Sequence, residues 1–410
     1  MRAPTTRYVV TGIGTAAPNG LGTEAFWSAT LAGRSGIGRI SRFDPEPYPV
    51  TLAGEVGDFA ADDYLPTKIT VQTDLMTHLA LAASEMALAD AGIDPARHPE
   101  YAMAVMTANS SGGNEFGQRE IQALWRNGPR HVGAYQSIAW FYAASTGQIS
   151  IRYGMRGPCG VIATEQAGGL DTVAQARRAL RQGTGMVLTG GTDASLSPYG
   201  LVTQLPTGML SRRADPARAY LPFDVAACGY VPGEGGAILV MEDERSARAR
   251  GAERIYGEIA GYAATFDPAP GSGRPPGLRR AIEGALADAG IASGEVDVVF
   301  ADAKGVPEAD LLEARVLAAV FGPNGVPVTA PKTMTGRLYA GGAALDLAAA
   351  LLAVHHSIIP PTTNVTRLAL GCDIDLVLDA PRESRVRTAL VVARGHGGFN
   401  AALVVRAVGG

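Results

Sequence analysis

The chain has 410 residues, of which 47% are hydrophobic and 18% are charged, and its formal net charge at pH 7 is −4. This composition is typical of a globular protein with a sizeable core, and an acidic balance without a lysine or arginine block argues against a nucleic-acid surface. The apolar stretches are too short or too rich in alanine to span a bilayer, so no membrane contact is expected. The three cysteines, Cys159, Cys228 and Cys372, are widely spaced, which argues against a disulfide framework or a zinc site. We expect buried or unremarkable thiols, with Cys159 buried rather than reactive.

The first predicted strand covers residues 8–14, and no charged and then apolar leader precedes it, so we expect a cytoplasmic protein. The glycines of GIGTAA, residues 12–17, predict a tight turn from this strand into a helix. The same spacing matches a dinucleotide-binding fingerprint, which leaves a nucleotide-binding oxidoreductase as an alternative. The Pro-Asn-Gly run at 18–20 interrupts the helix start that a nicotinamide cofactor needs and argues against that alternative.

A helix is predicted after the Ser-Ser-Gly-Gly turn at residues 110–113. Asn114, Gly117 and Ile121 fall at i, i+3 and i+7 and therefore share one helical face. In an alternative interpretation this is an ordinary packed helix held by its large apolar side chains, Phe116, Leu124 and Trp125. The aromatic segment that follows at 138–142 has the composition of a core or of an interface centre.

The segment 160–183 predicts a sharp strand-to-helix turn, with an apolar run that ends at Thr164 and an alanine-rich helix over 168–182. Such a turn presents one side chain at the positive N-terminus of a helix. Enzymes place a serine or cysteine there because the helix end stabilises a developing anion. This chain places Gln166 there, and a carboxamide is not a nucleophile.

The sequence repeats itself. ALADAGI occurs at 87–93 and again at 285–291, each time at the end of an alanine-rich helix. Further elements match in the same order, namely strands 102–107 and 296–301, helices 168–182 and 341–356, strands 185–191 and 388–395, and strands 236–242 and 401–407. Alternating strands and helices predict βαβ units and mainly parallel sheets. We therefore expect two halves, residues 1–250 and 251–410, whose two sheets share a middle layer of helices, with the Pro/Gly-rich segment 266–277 near their junction.

Four segments resemble the β-ketoacyl synthase branch of the thiolase fold. YLPFDVAACGYVPGEGGAILVMED (220–243) is similar to that family's run from a Pro-Phe-Asp to a Gly-Glu-Gly-Gly, and GPCGVIATEQAGGLD (157–171) is similar to the strand before its nucleophile. TAPKTMTGRLYAGG (329–342) resembles its lysine-to-histidine segment, and ARGHGGFN (393–400) its glycine-rich C-terminal turn. The resemblance covers essentially the whole chain. It implies an α/β thiolase fold whose duplicated βαβ halves form five layers, α-β-α-β-α.

The chain departs from this family at the three reactive positions. A condensing ketosynthase needs a cysteine to hold the acyl chain and two histidines to polarise the thioester carbonyl. Aligned by motif, these positions hold Gln166, Asp302 and Arg337, whereas Lys332 and Glu313 of the surrounding scaffold are retained. The resemblance therefore implies a fold without condensing activity of its own. We expect the three replacements to fill the vacated pocket with hydrogen bonds and an ion pair.

This pattern resembles the chain length factor, or ketosynthase-beta subunit, of the type II aromatic polyketide synthases of antibiotic biosynthesis. The resemblance implies a subunit of an acyltransferase complex that forms a heterodimer with a catalytic ketosynthase-alpha, pairing through the strand at about 159–164. It also implies an acyl carrier protein whose phosphopantetheine arm brings the substrate, and no cofactor or metal held by this chain. The growing poly-β-keto chain would enter a tunnel whose length-setting side chains lie on the helix after residue 113, at Asn114, Phe116, Gly117 and Ile121.

Gln166 also allows an alternative activity. Some ketosynthase-like loading domains use glutamine at this position to decarboxylate malonyl groups and make an acetyl primer. That reaction forms an enolate, which requires hydrogen-bond donors at the thioester oxygen. The loading domains keep both histidines, whereas the Asp302 carboxylate would oppose the developing charge. Decarboxylation of malonyl carrier protein through Gln166 therefore remains the alternative.

Overall fold

The computed structural model describes residues 6–269 and 271–409. The described residues do not include residue 270, which belongs to the predicted Pro/Gly-rich junction. They also do not include residues 1–5 and 410, which lie at the outer ends of the two predicted halves. The strands are β1 (Tyr8–Ala17), β2 (Gly20–Leu21), β3 (Ile37–Arg39), β4 (Leu52–Gly54), β5 (Met103–Ala108), β6 (Cys159–Ile162), β7 (Met186–Asp193), β8 (Gly235–Asp243), β9 (Gly257–Phe266), β10 (Val298–Phe300), β11 (Pro327–Thr329), β12 (Ile358–Ile359), β13 (Asp375–Leu376), β14 (Arg382–Glu383), β15 (Thr388–Arg394) and β16 (Phe399–Arg406).

The helices alternate with these strands along most of the chain. They are α1 (Thr23–Leu31), α2 (Thr67–Thr70), α3 (Leu75–Asp90), α4 (Asn114–Asn127), α5 (Gln136–Ala139), α6 (Ala144–Tyr153), α7 (Gly168–Arg181), α8 (Pro198–Gln204), α9 (Pro216–Ala219), α10 (Glu244–Ala249), α11 (Leu278–Ala289), α12 (Pro307–Phe321) and α13 (Ala340–His356). In the ranges that the structure describes, no helix combines the length and the apolar character needed to cross a membrane.

One mixed sheet of twelve strands forms the frame of the described chain. Outward from β1 its order is β8, β7, β5 and β6, and outward from β9 it is β16, β15, β10 and β11, with β13 beyond. The matching elements found in the sequence therefore occupy equivalent places in the sheet. The expectation of mainly parallel sheets is wrong, because β8 lies antiparallel between β1 and β7, and β16 lies antiparallel between β9 and β15.

The two sheets expected from the sequence are joined into one. Val9 and Val10 of β1 pair antiparallel with Glu258 and Gly257 of β9. β1 and β9 are the innermost strands of the two halves, and their pairing satisfies backbone groups that two separate sheets would leave unpaired at an edge.

The helices α7 and α13 lie between the two halves of the sheet. Each contacts strands from both halves, and their apolar side chains share one buried core with those strands. α3 packs on the outer face of the first half, and α11 and α12 pack on the outer face of the second. The predicted five layers, α-β-α-β-α, are therefore confirmed.

The predicted turn at residues 12–17 is wrong, because these residues continue β1 and are buried throughout. A Cβ atom added to Gly12 would lie 2.1 Å from the carbonyl oxygen of Ala87, and one added to Gly14 would lie 1.9 Å from that of Ala83. The glycines therefore let α3 pack directly against the strand backbone. A buried strand leaves no open turn for a dinucleotide phosphate, which removes the sequence argument for an oxidoreductase.

Candidate functional site

The strand-to-helix turn predicted around Gln166 is present. β6 ends at Ile162, a single helical turn covers Glu165–Ala167, and α7 begins at Gly168. Glu165 has φ +51°, a left-handed conformation that is costly for a residue with a side chain. Its carboxylate accepts a hydrogen bond from the backbone N–H of His396 at 2.8 Å. This contact ties the turn to the glycine-rich segment of the second half.

Gln166 is fully buried at the N-terminal end of α7. Its carboxamide lies against Gly342 in the first turn of α13, where an added Cβ atom would be 2.4 Å from Nε2. Neither Nε2 nor Oε1 has a hydrogen-bond partner among the described residues. The expectation that Gln166 hydrogen-bonds within a filled pocket is therefore wrong. A buried, unsatisfied amide is costly, and the described residues offer this carboxamide no compensating hydrogen bond.

Asp302 and Arg337 form the expected ion pair and are both buried. The Arg337 guanidinium donates from Nη2 to Asp302 Oδ1 at 3.1 Å and from Nη1 to the Asp302 carbonyl oxygen at 3.0 Å. Nη2 also donates to the Arg394 carbonyl oxygen at 3.1 Å. Burial raises the pKa of Asp302, but the charges of Arg337, Lys332 and Arg394 outweigh it and bring that pKa down to about 2. Asp302 is therefore a fixed carboxylate at neutral pH.

Lys332 and Glu313 also hold the peptide of residue 302. Lys332 Nζ forms an ion pair with Asp346 at 2.6 Å and donates to the Asp302 carbonyl oxygen at 3.0 Å. Glu313 accepts hydrogen bonds from the backbone N–H groups of Asp302 and Ala303, at 2.7 and 2.9 Å. Burial and the neighbouring Asp302 charge raise the pKa of the Glu313 carboxyl. Four residues singled out from the sequence thus meet at one buried peptide.

This arrangement is suited to holding structure rather than to polarising a thioester. A neutral imidazole can donate one hydrogen bond and later exchange its proton. Arg337 instead directs its guanidinium at three protein oxygens, and Asp302 offers negative charge. A carboxylate and an occupied guanidinium give little stabilisation to an enolate.

The helix α4 carries the predicted tunnel residues, and its first turn is the buried part. Asn114 Nδ2 donates to Ser195 Oγ at 3.2 Å, and Phe116 and Gly117 are also buried. A Cβ atom added to Gly117 would lie 2.9 Å from Cδ1 of Trp140. Ile121, two turns along the same face, is 47% exposed. The helical face that carries Asn114, Gly117 and Ile121 is therefore buried in the first turn of α4 and exposed to solvent at Ile121.

The alternative of an ordinary packed helix is wrong for the second half of α4. Trp125 is 82% exposed in the isolated chain, and Leu124 is also exposed. The segment 135–142, which precedes α6, also exposes large apolar side chains. These are Tyr135, Ile138, Trp140, Phe141 and Tyr142. We name these five residues together with Ile121, Leu124 and Trp125 the aromatic patch. Exposed apolar residues in this number mark an interaction surface.

The strand β6 is the outer edge of the twelve-stranded sheet and pairs on one side only, with β5. The carbonyl oxygen of Pro158 accepts a hydrogen bond from Val105 of β5 at 3.2 Å, and that of Ile162 accepts one at 3.1 Å from Asn109, the residue after β5. Because backbone direction alternates along a strand, Cys159 and Val161 direct their N–H and C=O groups to the free edge. Cys159 is exposed, so the expectation that it is buried is wrong; Cys228 is also exposed, and Cys372 is buried.

Asp193 links the loop before α4 to the start of α13. Its carboxylate accepts hydrogen bonds from Asn109 Nδ2 at 2.7 Å, Ser111 Oγ at 2.8 Å and the Ala340 N–H at 3.0 Å. Burial raises the pKa of Asp193 to about 7, and hydrogen bonds from Ser111, Ser110 and Ala340 lower it only in part. The Asp193 carboxylate thereby connects the loop before Asn114 to the start of α13, which carries Gly342.

Family models for the β-ketoacyl synthase match most of the chain, the N-terminal domain over residues 5–247 and the C-terminal domain over residues 256–366. The chain belongs to the β-ketoacyl synthase family. It is 62% identical to the tetracenomycin polyketide synthase ketoacyl synthase beta subunit of Streptomyces glaucescens, over 97% of this chain and 98% of that protein.

Two solved structures share the fold. The ishigamide ketosynthase/chain length factor matches with a TM-score of 0.91 and 28% identity, over 99% of this chain and 100% of that one. A type II polyketide synthase acyl-carrier protein in complex with its ketosynthase bound to the hexaketide matches with a TM-score of 0.87 and 26% identity, over 99% and 100%. The predicted resemblance to ketosynthase beta subunits and to their fold is confirmed.

Three residues of this candidate site were missed by sequence reasoning. Asp346, which pairs with Lys332, is an acidic residue inside the alanine-rich α13, and an isolated charge in a buried helix was the signal for it. Asp193 is the last residue of the buried strand β7, where a carboxylate predicts a structural or binding role. Glu165 had no such signal, because its role depends on the distant His396 backbone.

Proposed function

We propose that this chain is a non-condensing ketosynthase-beta subunit, a chain length factor, which pairs with a catalytic ketosynthase-alpha in aromatic polyketide antibiotic biosynthesis. The observation that carries the proposal is the buried ion pair of Asp302 and Arg337 beside a turn that holds Gln166. With no thiol at the turn and no imidazole at either of the other positions, this chain has no group to hold and extend an acyl chain. The partner subunit supplies those groups.

Two surfaces support pairing with a second subunit of the same fold. β6 offers the unpaired backbone groups of Cys159 and Val161, and the aromatic patch offers apolar area. A partner of the same family adds its equivalent strand, so that the sheet continues across the interface. The acyl carrier protein then brings malonyl units on its phosphopantetheine arm to the partner's cysteine.

The tunnel for the poly-β-keto chain is bounded in this proposal by the first two turns of α4, at Asn114, Phe116, Gly117 and Ile121. The first three of these residues are buried, and Ile121 is exposed and belongs to the aromatic patch. Side-chain volume in these two turns limits how far a growing chain can extend. Asn114 and Gly117 are small, which favours a comparatively long product.

Replacing Gly117 with phenylalanine is expected to shorten the polyketide by at least one extender unit. The new ring meets Trp140, which is half exposed, and the two rings fill space that the chain end would occupy. The measurement is mass spectrometry of products from the reconstituted heterodimer with holo carrier protein and labelled malonyl groups. Gly294→Phe, at an open surface turn of the second half, is the matched control and should leave chain length unchanged. Unchanged length with Gly117→Phe would contradict the tunnel assignment.

Decarboxylation by Gln166 is the second candidate, and the unpartnered carboxamide is the observation that favours it. Its Nε2 could donate a hydrogen bond to the enolate oxygen of a malonyl thioester. The fixed charge of Asp302 and the occupied guanidinium of Arg337 oppose this reaction. We therefore place it second.

Gln166→Ala is expected to leave both acetyl-carrier formation and full-length polyketide within about twofold of wild type, because the residue does not react in the leading proposal. Both products are measured by mass spectrometry in the same reconstituted reaction. If acetyl-carrier formation collapses and an added acetyl primer restores polyketide, the chain is a decarboxylase and the leading proposal is wrong on that point.

A further inference from the structure

The N-terminus of α4 lacks a cap from its own sequence. Gly113 stands at the cap position and has no side chain to accept a hydrogen bond from the first turn. Four backbone N–H groups at such a helix end need acceptors from elsewhere. For Phe116 that acceptor comes from another helix, because Asp74 Oδ2 accepts its N–H at 2.9 Å.

Asp74 is itself the N-cap of α3. Its Oδ1 accepts the N–H of Met76 at 3.1 Å, so one carboxylate caps two helices. The residue is 3% exposed, and a Cβ atom added to Gly113 would lie 2.9 Å from Asp74 Cβ. Glycine at 113 thus allows the close approach that brings the carboxylate within reach of α4.

We propose that Asp74 is a positioning residue for polyketide chain length, which fixes the first turn of α4 and with it the place of Phe116 and Gly117. The inference rests on the proposed function and deepens it. Asp74 lies on a different helix from the four tunnel residues and acts only through the backbone of α4.

The surroundings of Asp74 explain why this contact matters. A cavity of about 290 Å³ lies beside it, lined in part by Arg42, His78, Glu115, Phe116 and Arg119. The cavity gives the first turn of α4 room to move once its cap is lost, since no packed side chain fills the space. Arg42 and Arg119 line this cavity, but a guanidinium only donates hydrogen bonds, so neither can replace the carboxylate as the acceptor for the Phe116 N–H group.

The pKa of the Asp74 carboxyl, and therefore its charge, depends on opposing effects of burial, hydrogen bonds and neighbouring charges. Burial raises its pKa to about 6, while the N–H groups of Phe116 and Met76 lower it. Glu115 raises this pKa further and Arg119 lowers it. At pH 7.5 the carboxylate form prevails and can accept both hydrogen bonds, so the experiment is run there.

The test is Asp74→Ser in the complete heterodimer. Serine still caps α3 but is too short to reach the Phe116 N–H, so it removes the second contact alone. We expect hydrogen exchange of the Phe116 amide to be about fivefold faster. In the same complex, we expect the share of product at the wild-type length to fall at least about threefold in favour of other lengths. Asp243→Ser, which changes the carboxylate cap of the distant α10, is the matched control and should alter neither measurement.

The outcomes separate this inference from the proposed function. If Gly117→Phe shortens the product but Asp74→Ser changes neither the hydrogen exchange of the Phe116 amide nor the product length, the inference about Asp74 is overturned. The proposed chain length factor function then still stands. If both variants leave chain length unchanged, both fail. Should Asp74→Ser not assemble with its partner, Asp74→Asn keeps the shape and one acceptor oxygen, and the same two readouts decide the matter.

Discussion

Replacing Val161 with proline is expected to abolish pairing of this chain with its ketosynthase-alpha partner, and with it all polyketide formation. The N–H group of Val161 faces the free edge of β6, whereas the neighbouring carbonyls of Pro158 and Ile162 hold the strand to β5. Proline removes that N–H group and places its ring where a partner strand would lie. The contacts inside this chain remain, so the folded subunit should survive while the heterodimer does not.

The measurement is size-exclusion chromatography with light scattering on the co-expressed subunits, followed by the polyketide assay. Val161→Thr keeps the β-branched shape and the N–H group, and serves as the matched control that should still form heterodimer. Circular dichroism and the melting temperature of the Val161→Pro chain establish that it is folded. A heterodimer of normal stability containing Val161→Pro would show that β6 is not the pairing edge.

Arg337→Ala is expected to lower the free energy of unfolding by about 3–5 kcal/mol, because it leaves the Asp302 carboxylate buried without its main counter-charge. The loss includes the hydrogen bonds to the carbonyl oxygens of Asp302 and Arg394. The urea midpoint and the melting temperature of the purified heterodimer measure this change. A change below about 1 kcal/mol would mean that the pair is not the structural centre of the site.

The double variant Asp302→Asn with Arg337→Met provides the control. Removing both charges together avoids an unpaired buried ion, so the double variant is expected to be clearly more stable than Arg337→Ala. Lys332 and Glu313 still hold the peptide of residue 302 in both variants. If the chain length factor proposal is correct, the double variant also keeps polyketide formation, since neither residue takes part in condensation.

The sequence predicted much of the order of strands and helices, because that order depends on residue patterns within short segments. The ALADAGI repeat and the matching elements after each copy predicted the repeated strand order. The glycines after Gln166 and the apolar run before it predicted the turn between β6 and α7. Hydrophobic spacing and glycine position act within a few residues, so a single sequence carries them.

The sequence predicted which residues form the candidate site but not which hydrogen bonds they make. Motif resemblance selected Gln166, Asp302, Arg337, Lys332 and Glu313, and four of these five meet at the peptide of residue 302. That Gln166 lacks a partner could not be foreseen, since it depends on Gly342 at the start of α13. The second cap made by Asp74 and the hydrogen bond from the His396 N–H to Glu165 were equally hidden, because each joins residues distant along the chain.

The sequence by itself determined the family, the duplicated order of elements and the loss of the reactive side chains. Only the tertiary structure decided that β1 and β9 join two sheets, that Gly12 and Gly14 lie against α3, and that the aromatic patch is exposed. The physical reason is the range of the interactions. Propensity, periodicity and residue chemistry are properties of short segments, whereas burial and long-range hydrogen bonds exist only once distant segments have packed.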